Sequence, residues 1–248
     1  MKVIIHPDFK NLSDFIHSIP KVFYSTGNTI YKGRNEVKIF EINKLLVNVK
    51  KYKRPIWLNQ FVYSFFRKSK AERAYQNALT ILKKGFHTPQ PIAYIEIKKY
   101  ALLKEAYFIC LQSPYKRDFK EFVDTDIKGR EHIIEALGIY TAKMHQKDIY
   151  HLDFSIGNIL FEDTEKSVNF SIIDLNRMKF LKINENLGYK NFQRLCGNED
   201  FFRVLAKAYA QYNQYDEKKS YELISSYHLE YQEKSRKKKK FKALFRKS

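Results

Sequence analysis

The chain has 248 residues, 44% apolar and 16% aromatic, enough for a substantial core, which excludes a disordered polymer. A formal net charge of +19 points to anionic partners: nucleic acid, an anionic membrane surface or phosphorylated substrates. The two cysteines, Cys110 and Cys196, form neither a disulfide framework nor a zinc spacing, no apolar run approaches the ~18–20 residues that span a bilayer, and MKVIIHPDF is too short an apolar start for a secretory signal, so a cytoplasmic location is expected.

In chain order, Asn28 to Tyr31 (NTIY) reads as a weak strand and Lys32-Gly33-Arg34-Asn35 as a turn. Glu36 to Ile42 (EVKIFEI) alternates polar and apolar residues, as a half-buried strand does. Asn43-Lys44 is a two-residue turn, and Leu45 to Val49 (LLVNV) is the next strand, ending at Lys50. The three form an antiparallel meander. Lys68 to Lys84 has Ala71, Ala74, Tyr75, Ala78, Leu79 and Leu82 at helical spacing, with Ser69 as N-cap and Gly85 as stop. After HTPQP, Ile92 to Ile97 and Ala101 to Leu111 read as two more strands separated by Lys98-Lys99. Strands paired beside one helix make an α+β unit.

The second half is mainly helical. Lys128 to Gln146 is amphipathic, with Ile133, Ile134, Leu137, Tyr140, Thr141 and Met144 on one face. IYHLDF, NILFE and VNFSIIDL follow as short strands with connecting loops, and the chain is helical again from about Asn198. The last fifteen residues, KSRKKKKFKALFRKS, hold nine Lys or Arg and no acid, so about half of the excess charge lies in a terminal tail.

The chemistry is concentrated in HLDFSIGN and IIDLNR. His151-x-Asp153-x4-Asn158 sets a carboxylate and an amide five residues apart in a loop, Asp174 ends an apolar strand, and Lys50 ends a strand far upstream. Each has a plain reading alone: Asp and Asn are common at strand ends, a His among apolar residues is usually structural, and lysines abound. Together they are the parts that phosphoryl transfer needs. A carboxylate orients the attacking hydroxyl, an amide oxygen and a second carboxylate hold Mg²⁺, and a lysine balances phosphate charge.

On these residues the chain resembles the protein-kinase-like superfamily, in its compact bacterial branch. His151, Asp153 and Asn158 match the catalytic loop, Asp174 the metal-binding Asp of the Asp-Phe-Gly motif, and Lys50 the lysine of the third strand. Within the superfamily, VKKYKRP, FRKSKAERAYQNALTILKKGFHTPQPIAYIE, HLDFSIGNIL and IIDLNR look like the lipopolysaccharide core kinases, including Kdo kinases. The resemblance runs from about Thr26 to Tyr215. It implies a two-lobed α+β fold: a nucleotide-binding lobe over 1–112, a mainly helical catalytic lobe over 113–230, and a basic tail over 231–248. It also implies ATP and Mg²⁺ as cofactors. Asp153 acts on the hydroxyl with His151 beside it, Asn158 and Asp174 hold the metal, and Lys50 holds the phosphates. Gly33 and Arg34 line the phosphates, Gln112 lies in the Leu111–Ser113 segment that meets adenine, and Glu72 or Gln76 pairs with Lys50.

The sequence also departs from the family pattern. The triplet is Asp174-Leu175-Asn176, only Gly27 and Gly33 are available to a phosphate loop, and Asn48 replaces a small apolar residue under the adenine. No Ala-Pro-Glu segment or long activation loop follows Asp174, which favours a small or glycolipid acceptor over a protein. The expected activity is transfer of the γ-phosphate to a sugar hydroxyl of a lipopolysaccharide core or Kdo-lipid A precursor. The alternatives are an aminoglycoside or protein acceptor, or a non-catalytic module that binds anionic lipid or RNA. The tail, with Phe241, Leu244 and Phe245 at helical spacing among its basic residues, is expected to rest on the cytoplasmic face of the inner membrane. Nucleic acid ranks lower as a partner because no recognition motif accompanies the charge.

Overall fold

The computed structural model describes residues 1–54 and 67–244, the side chain of Leu244 excepted. Pro55 and Phe66, which flank the helix motif quoted above, and Phe245 of the tail lie outside the described residues. The chain divides into two compact units, Met1–Pro114 with Ile173–Arg177, and Tyr115–Ile172 with Met178–Ser248.

The first unit is built on a six-stranded antiparallel sheet, in the order β1-β5-β6-β4-β3-β2. Its strands are β1 (Lys2–Ile5), β2 (Asn28–Lys32), β3 (Glu36–Ile42), β4 (Leu45–Lys51), β5 (Pro91–Lys99) and β6 (Leu102–Leu111). The alternation that marked β3 and β4 works as the pleat requires: Phe40, Val47 and Val49 turn into one core. Asn43 and Lys44 both take positive φ, 51° and 65°, the two-residue hairpin turn whose twist matches the flanking strands. The same geometry recurs at Tyr100 and Ala101, φ 52° and 60°, so the β5–β6 turn lies there and not at Lys98-Lys99, which belong to β5.

Among the described residues, two helices cover the sheet. On one face α1 (Ser13–Val22) packs Ile16 and Ile19, with Leu12 and Phe23 at its ends, against Phe40, Val47, Val49, Ile95 and Ile109. Sequence reading found only one helix, because Pro20 inside SDFIHSIPKV reads as a breaker, and it missed the four-residue β1. On the other face α2 (Lys70–Lys83) packs Ala71 and Tyr75 against Tyr52, Tyr94 and Ala106. The Ser69 hydroxyl accepts the Glu72 N–H at 3.0 Å, so the helix starts at Lys70, two residues after the expected Lys68. Gly85 closes it at φ 84°, the left-handed conformation that glycine adopts without a Cβ penalty.

In the second unit α3 (Glu131–Gln146) packs against α5 (Glu199–Asn213). The expected start at Lys128 moves to Glu131 because Gly129 takes φ 77°. A three-stranded sheet, in the order β10-β9-β7, joins β7 (Arg117–Asp118), β9 (Ile159–Asp163) and β10 (Val168–Ile172). A two-stranded ribbon pairs β8 (Ile149–His151) with β11 (Met178–Phe180). Buried Phe119, Phe122, Phe161, Phe170 and Phe201 form the aromatic centre, with ring centroids 5.1–6.5 Å apart. After α4 (Glu185–Asn191) and α5, the chain ends in one long helix, α6 (Glu217–Leu244). Its 28 residues extend about 42 Å. As far as Leu244 the basic tail is therefore a continuation of a packed helix, with Lys234 on Glu230 and Lys237 on Glu233. No helix among the described residues is long and apolar enough to cross a membrane.

The α3–α5 crossing is close because Gly138 leaves no Cβ between the helices. A Cβ there would lie 2.8 Å from the Leu205 carbonyl oxygen and 3.1 Å from the Tyr209 nitrogen. Gly138→Ala is expected to lower stability by about 1–3 kcal/mol through overpacking, against the roughly 1 kcal/mol that alanine normally gains in a helix. Urea denaturation reads the sign; an increase in stability refutes the close approach.

Candidate active site

In the second unit the HLDFSIGN segment is fixed from beneath. His151 is fully buried, and its Nδ1 accepts the Asp153 N–H at 3.0 Å. The Asn158 side-chain amide donates to the Asp153 carbonyl at 2.9 Å, closing the loop across five residues. A second buried amide carries the load further: Asn191 at the end of α4 donates to the His151 carbonyl at 2.9 Å. Its remaining oxygen faces His145 Nε2, also at 2.9 Å. That oxygen can only accept, so His145 carries its proton on Nε2, and its Nδ1 accepts from the Tyr209 hydroxyl at 2.9 Å. Burial pushes the His145 pKa down to about 4, partly opposed by the Asn191 bond, so the ring is neutral. Gly188 is required here, because a Cβ would run into the Tyr209 hydroxyl and lie 3.4 Å from His145 Nδ1. Asp153 itself is paired: Arg194 Nη1 lies 2.8 Å from its Oδ1.

In the first unit IIDLNR supplies the other half of the motif. β10 ends at Ile172, two residues before Asp174, so Asp174 lies beyond the strand, at φ 59°. Lys50 Nζ lies 2.6 Å from Asp174 Oδ1, a pair joining residues 124 positions apart. The Asn176 amide donates to the same oxygen, and Asn77 of α2 donates to the Leu175 carbonyl at 2.6 Å. The expected Glu72–Lys50 pair is absent. Glu72 instead pairs with Lys2 at 3.7 Å and Lys68 at 3.9 Å, because β1 brings a lysine to that side of α2. Gln76, the other candidate, accepts from Lys68 at 2.7 Å. Lys50 is steadied by the Tyr52 ring, 5.3 Å away. The Tyr52 hydroxyl is buried with no hydrogen-bond partner among the described residues, and burial, then Asp174, raises its pKa well above the usual phenol value.

The remaining expected residues line the same unit. Asn48 donates to the Gln112 side chain at 2.7 Å, while the Gln112 backbone N–H donates to the Leu46 carbonyl at 2.8 Å. The polar residue that looked out of place at position 48 thus fixes the segment after β6. Gly33 sits in the β2–β3 turn with its own N–H donated to the Asn35 carbonyl at 3.0 Å, and Arg34 is exposed beside it. Sequence reading missed Lys70. It makes no ion pair among the described residues, and its pKa is lowered by burial, then by Arg34 and Arg73. Cys110 is the buried thiol expected from its apolar run, its pKa pushed up to about 12 by burial.

In the second unit Asn158 spends its N–H₂ on the Asp153 carbonyl, which leaves its hard carbonyl oxygen suited to a divalent cation. In the first unit Asp174 carries a carboxylate of the same hard-oxygen kind. No cluster of three or more His, Cys, Asp or Glu that could hold a metal is present among the described residues.

The antiparallel sheet unit and the helical unit, with these motifs, make the fold protein-kinase-like. A solved structure titled "WaaP in complex with acyl carrier protein" aligns with a TM-score of 0.64 over 96% of this chain and 99% of that chain, at 15% identity, a likeness of fold. The model of the Lipopolysaccharide kinase (Kdo/WaaP) family matches residues 22–227, and the chain belongs to this family. Among its relatives is the 3-deoxy-D-manno-octulosonic acid kinase of Vibrio parahaemolyticus serotype O3:K6, 28% identical over 108 residues, 44% of each chain. The enzyme of the same name from Vibrio cholerae serotype O1 is 30% identical over 111 residues, 45% of each chain. The chain spans less than half the length of the curated relatives it matches.

The buried neutral imidazole sets a pH dependence. The His145 pKa is depressed on folding, so the unfolded chain binds the extra proton between pH 6.5 and about 4. Stability is therefore complete above pH 6.5 and is lost as pH falls towards 4, by about 3 kcal/mol at most. Melting temperature measured across this range should fall less steeply for His145→Gln than for the native chain; parallel profiles would remove His145 as the cause.

Proposed function

We propose that the protein is an ATP- and Mg²⁺-dependent kinase that transfers the γ-phosphate to a sugar hydroxyl of a lipopolysaccharide core or Kdo-lipid A precursor. The observation that carries the reading is the Lys50–Asp174 pair, a lysine and an acid joined across 124 positions at 2.6 Å. Family membership and the HLDFSIGN loop support it. In this reading Asp153 orients the acceptor hydroxyl and takes its proton as the oxygen attacks phosphorus. Lys50 exchanges its carboxylate partner for phosphate oxygens. Lys70 and Arg34, which make no ion pair among the described residues, add positive field. Asn158 and Asp174 are the residues that would offer oxygens to Mg²⁺, whose chemistry there would be to neutralise phosphate charge. The segment Leu111–Ser113, fixed through Asn48 and Gln112, serves the adenine.

The acceptor is a glycolipid or small sugar, and the place of work is the cytoplasmic face of the inner membrane. The support for a membrane surface is the basic stretch of α6 from Lys234 to Lys242, with Phe241 62% exposed at its end. Each basic residue near an anionic surface contributes on the order of 1 kcal/mol.

Labelled ATP with Kdo-lipid A as acceptor tests the activity. Native protein is expected to transfer phosphate, Asp153→Ala to lose about 10²–10⁴-fold in kcat, and Lys50→Met about 10²–10³-fold. No transfer to any acceptor, with no thermal shift on Mg·ATP, would leave a binding module instead. Sedimentation with vesicles of anionic against neutral phospholipid tests the surface. Binding only to the anionic vesicles, abolished when Lys237 to Lys240 become glutamine, is expected; equal sedimentation with both refutes it.

A further inference from the structure

The carboxylate assigned to the hydroxyl is not alone in its unit. Arg194 stands in the turn Phe192–Arg194 after α4, in no motif of the family pattern, yet its Nη1 lies 2.8 Å from Asp153 Oδ1. The arrangement is costly. Arg194 Nε is buried with no hydrogen-bond partner among the described residues, and an unmet buried donor lowers the stability of a fold, so the geometry calls for an explanation. The guanidinium also lies over the Tyr231 ring, centroid at 5.3 Å. Tyr231 belongs to α6, which is seated on this turn by a stripe at helical spacing. Ile224 is fully buried, the His228 ring packs 4.5 Å from Phe202, and His228 Nδ1 meets the Gln193 carbonyl at 3.3 Å. Tyr231 is the next residue along that stripe, so the helix places an aromatic face under the guanidinium as a brace.

We infer that Arg194, braced by Tyr231 of the C-terminal helix, is the positioning residue for Asp153, holding one carboxylate oxygen so that the other faces the acceptor hydroxyl. The role rests on the functional reading of Asp153 given above. A guanidinium suits it because it is planar, permanently charged and able to stack while it donates, which an ammonium cannot do. The helix that carries the basic stretch thereby reaches the reacting group through one side chain.

The test uses the full chain. Arg194→Ala is expected to lower kcat about 10²-fold with the KM for ATP unchanged, since the loss is one of orientation. Arg194→Lys should recover part of it, and millimolar guanidinium chloride should partly rescue Arg194→Ala but not Asp153→Ala. Tyr231→Phe should behave as native, while Tyr231→Leu should lower kcat. Activity of Arg194→Ala within twofold of native, or absence of rescue in a folded variant, overturns the inference and leaves the kinase reading intact. A second readout needs no acceptor. In urea unfolding, Asp153→Asn and Arg194→Ala are expected to be non-additive, the double variant no less stable than the worse single one. Additive losses overturn the pairing even if no acceptor is ever phosphorylated.

Discussion

The side-chain amide of Asn191 is the constraint on which the HLDFSIGN loop depends. It donates to the backbone of His151 and accepts from His145, so that one buried group fixes the end of β8 against α3. A buried amide with either bond missing would bear a desolvation penalty of about 1–3 kcal/mol, so the two bonds hold each other in place. Histidine at 145 answers this need because its second nitrogen can accept from Tyr209 while the first donates. Four elements therefore meet in one hydrogen-bonded line: α5 through Tyr209, α3 through His145, α4 through Asn191 and β8 through His151. The loop that follows inherits their rigidity.

In the first unit the same problem, fixing a functional side chain, is solved without a helix acid. Glu72 is occupied by Lys2 and Lys68, and Asp174 takes the lysine directly. What α2 contributes is Asn77, which binds the backbone of Leu175 beside Asp174. Asn176, standing where the family motif has glycine, donates to the Asp174 carboxylate. The departure from the motif is thus a change in how the acid is oriented. Tyr52 completes the arrangement by placing an aromatic face beside the ammonium of Lys50.

The parts legible in the sequence were those with a local physical signature. The meander from β2 to β4, the Ser69 cap and the Gly85 stop follow from alternation, a side-chain oxygen and a glycine. The turn at Tyr100-Ala101 was displaced by two residues because neither residue advertises a positive φ. β1 has only four residues, too few for a period, yet its Lys2 decides where Glu72 points. Asn191 and Arg194 gave no signal at all. They lie about forty residues beyond the loop they serve, and only the path of α4 returns them to it. Family likeness pointed to Lys50, Asp153, Asn158 and Asp174 as a set, whereas the groups that hold them are brought near only by the packing of distant segments.

The two ion pairs differ in kind from the His145 line, and the difference follows from exposure. In Lys50–Asp174 the side chains are 17% and 26% exposed, and in Arg194–Asp153 they are 28% and 18% exposed. A fully buried pair would cost about 3–5 kcal/mol to break, because each ion would be stranded in low dielectric. Pairs open to water on one side contribute nearer 1 kcal/mol, since solvent replaces much of what is lost. Lys50–Asp174 can therefore exchange partners at small cost, whereas the Asn191 amide is buried and Arg194 is braced by the Tyr231 ring. The buried neutral bonds fix the backbone, and the partly exposed charges of Lys50 and Asp174 remain free to trade partners.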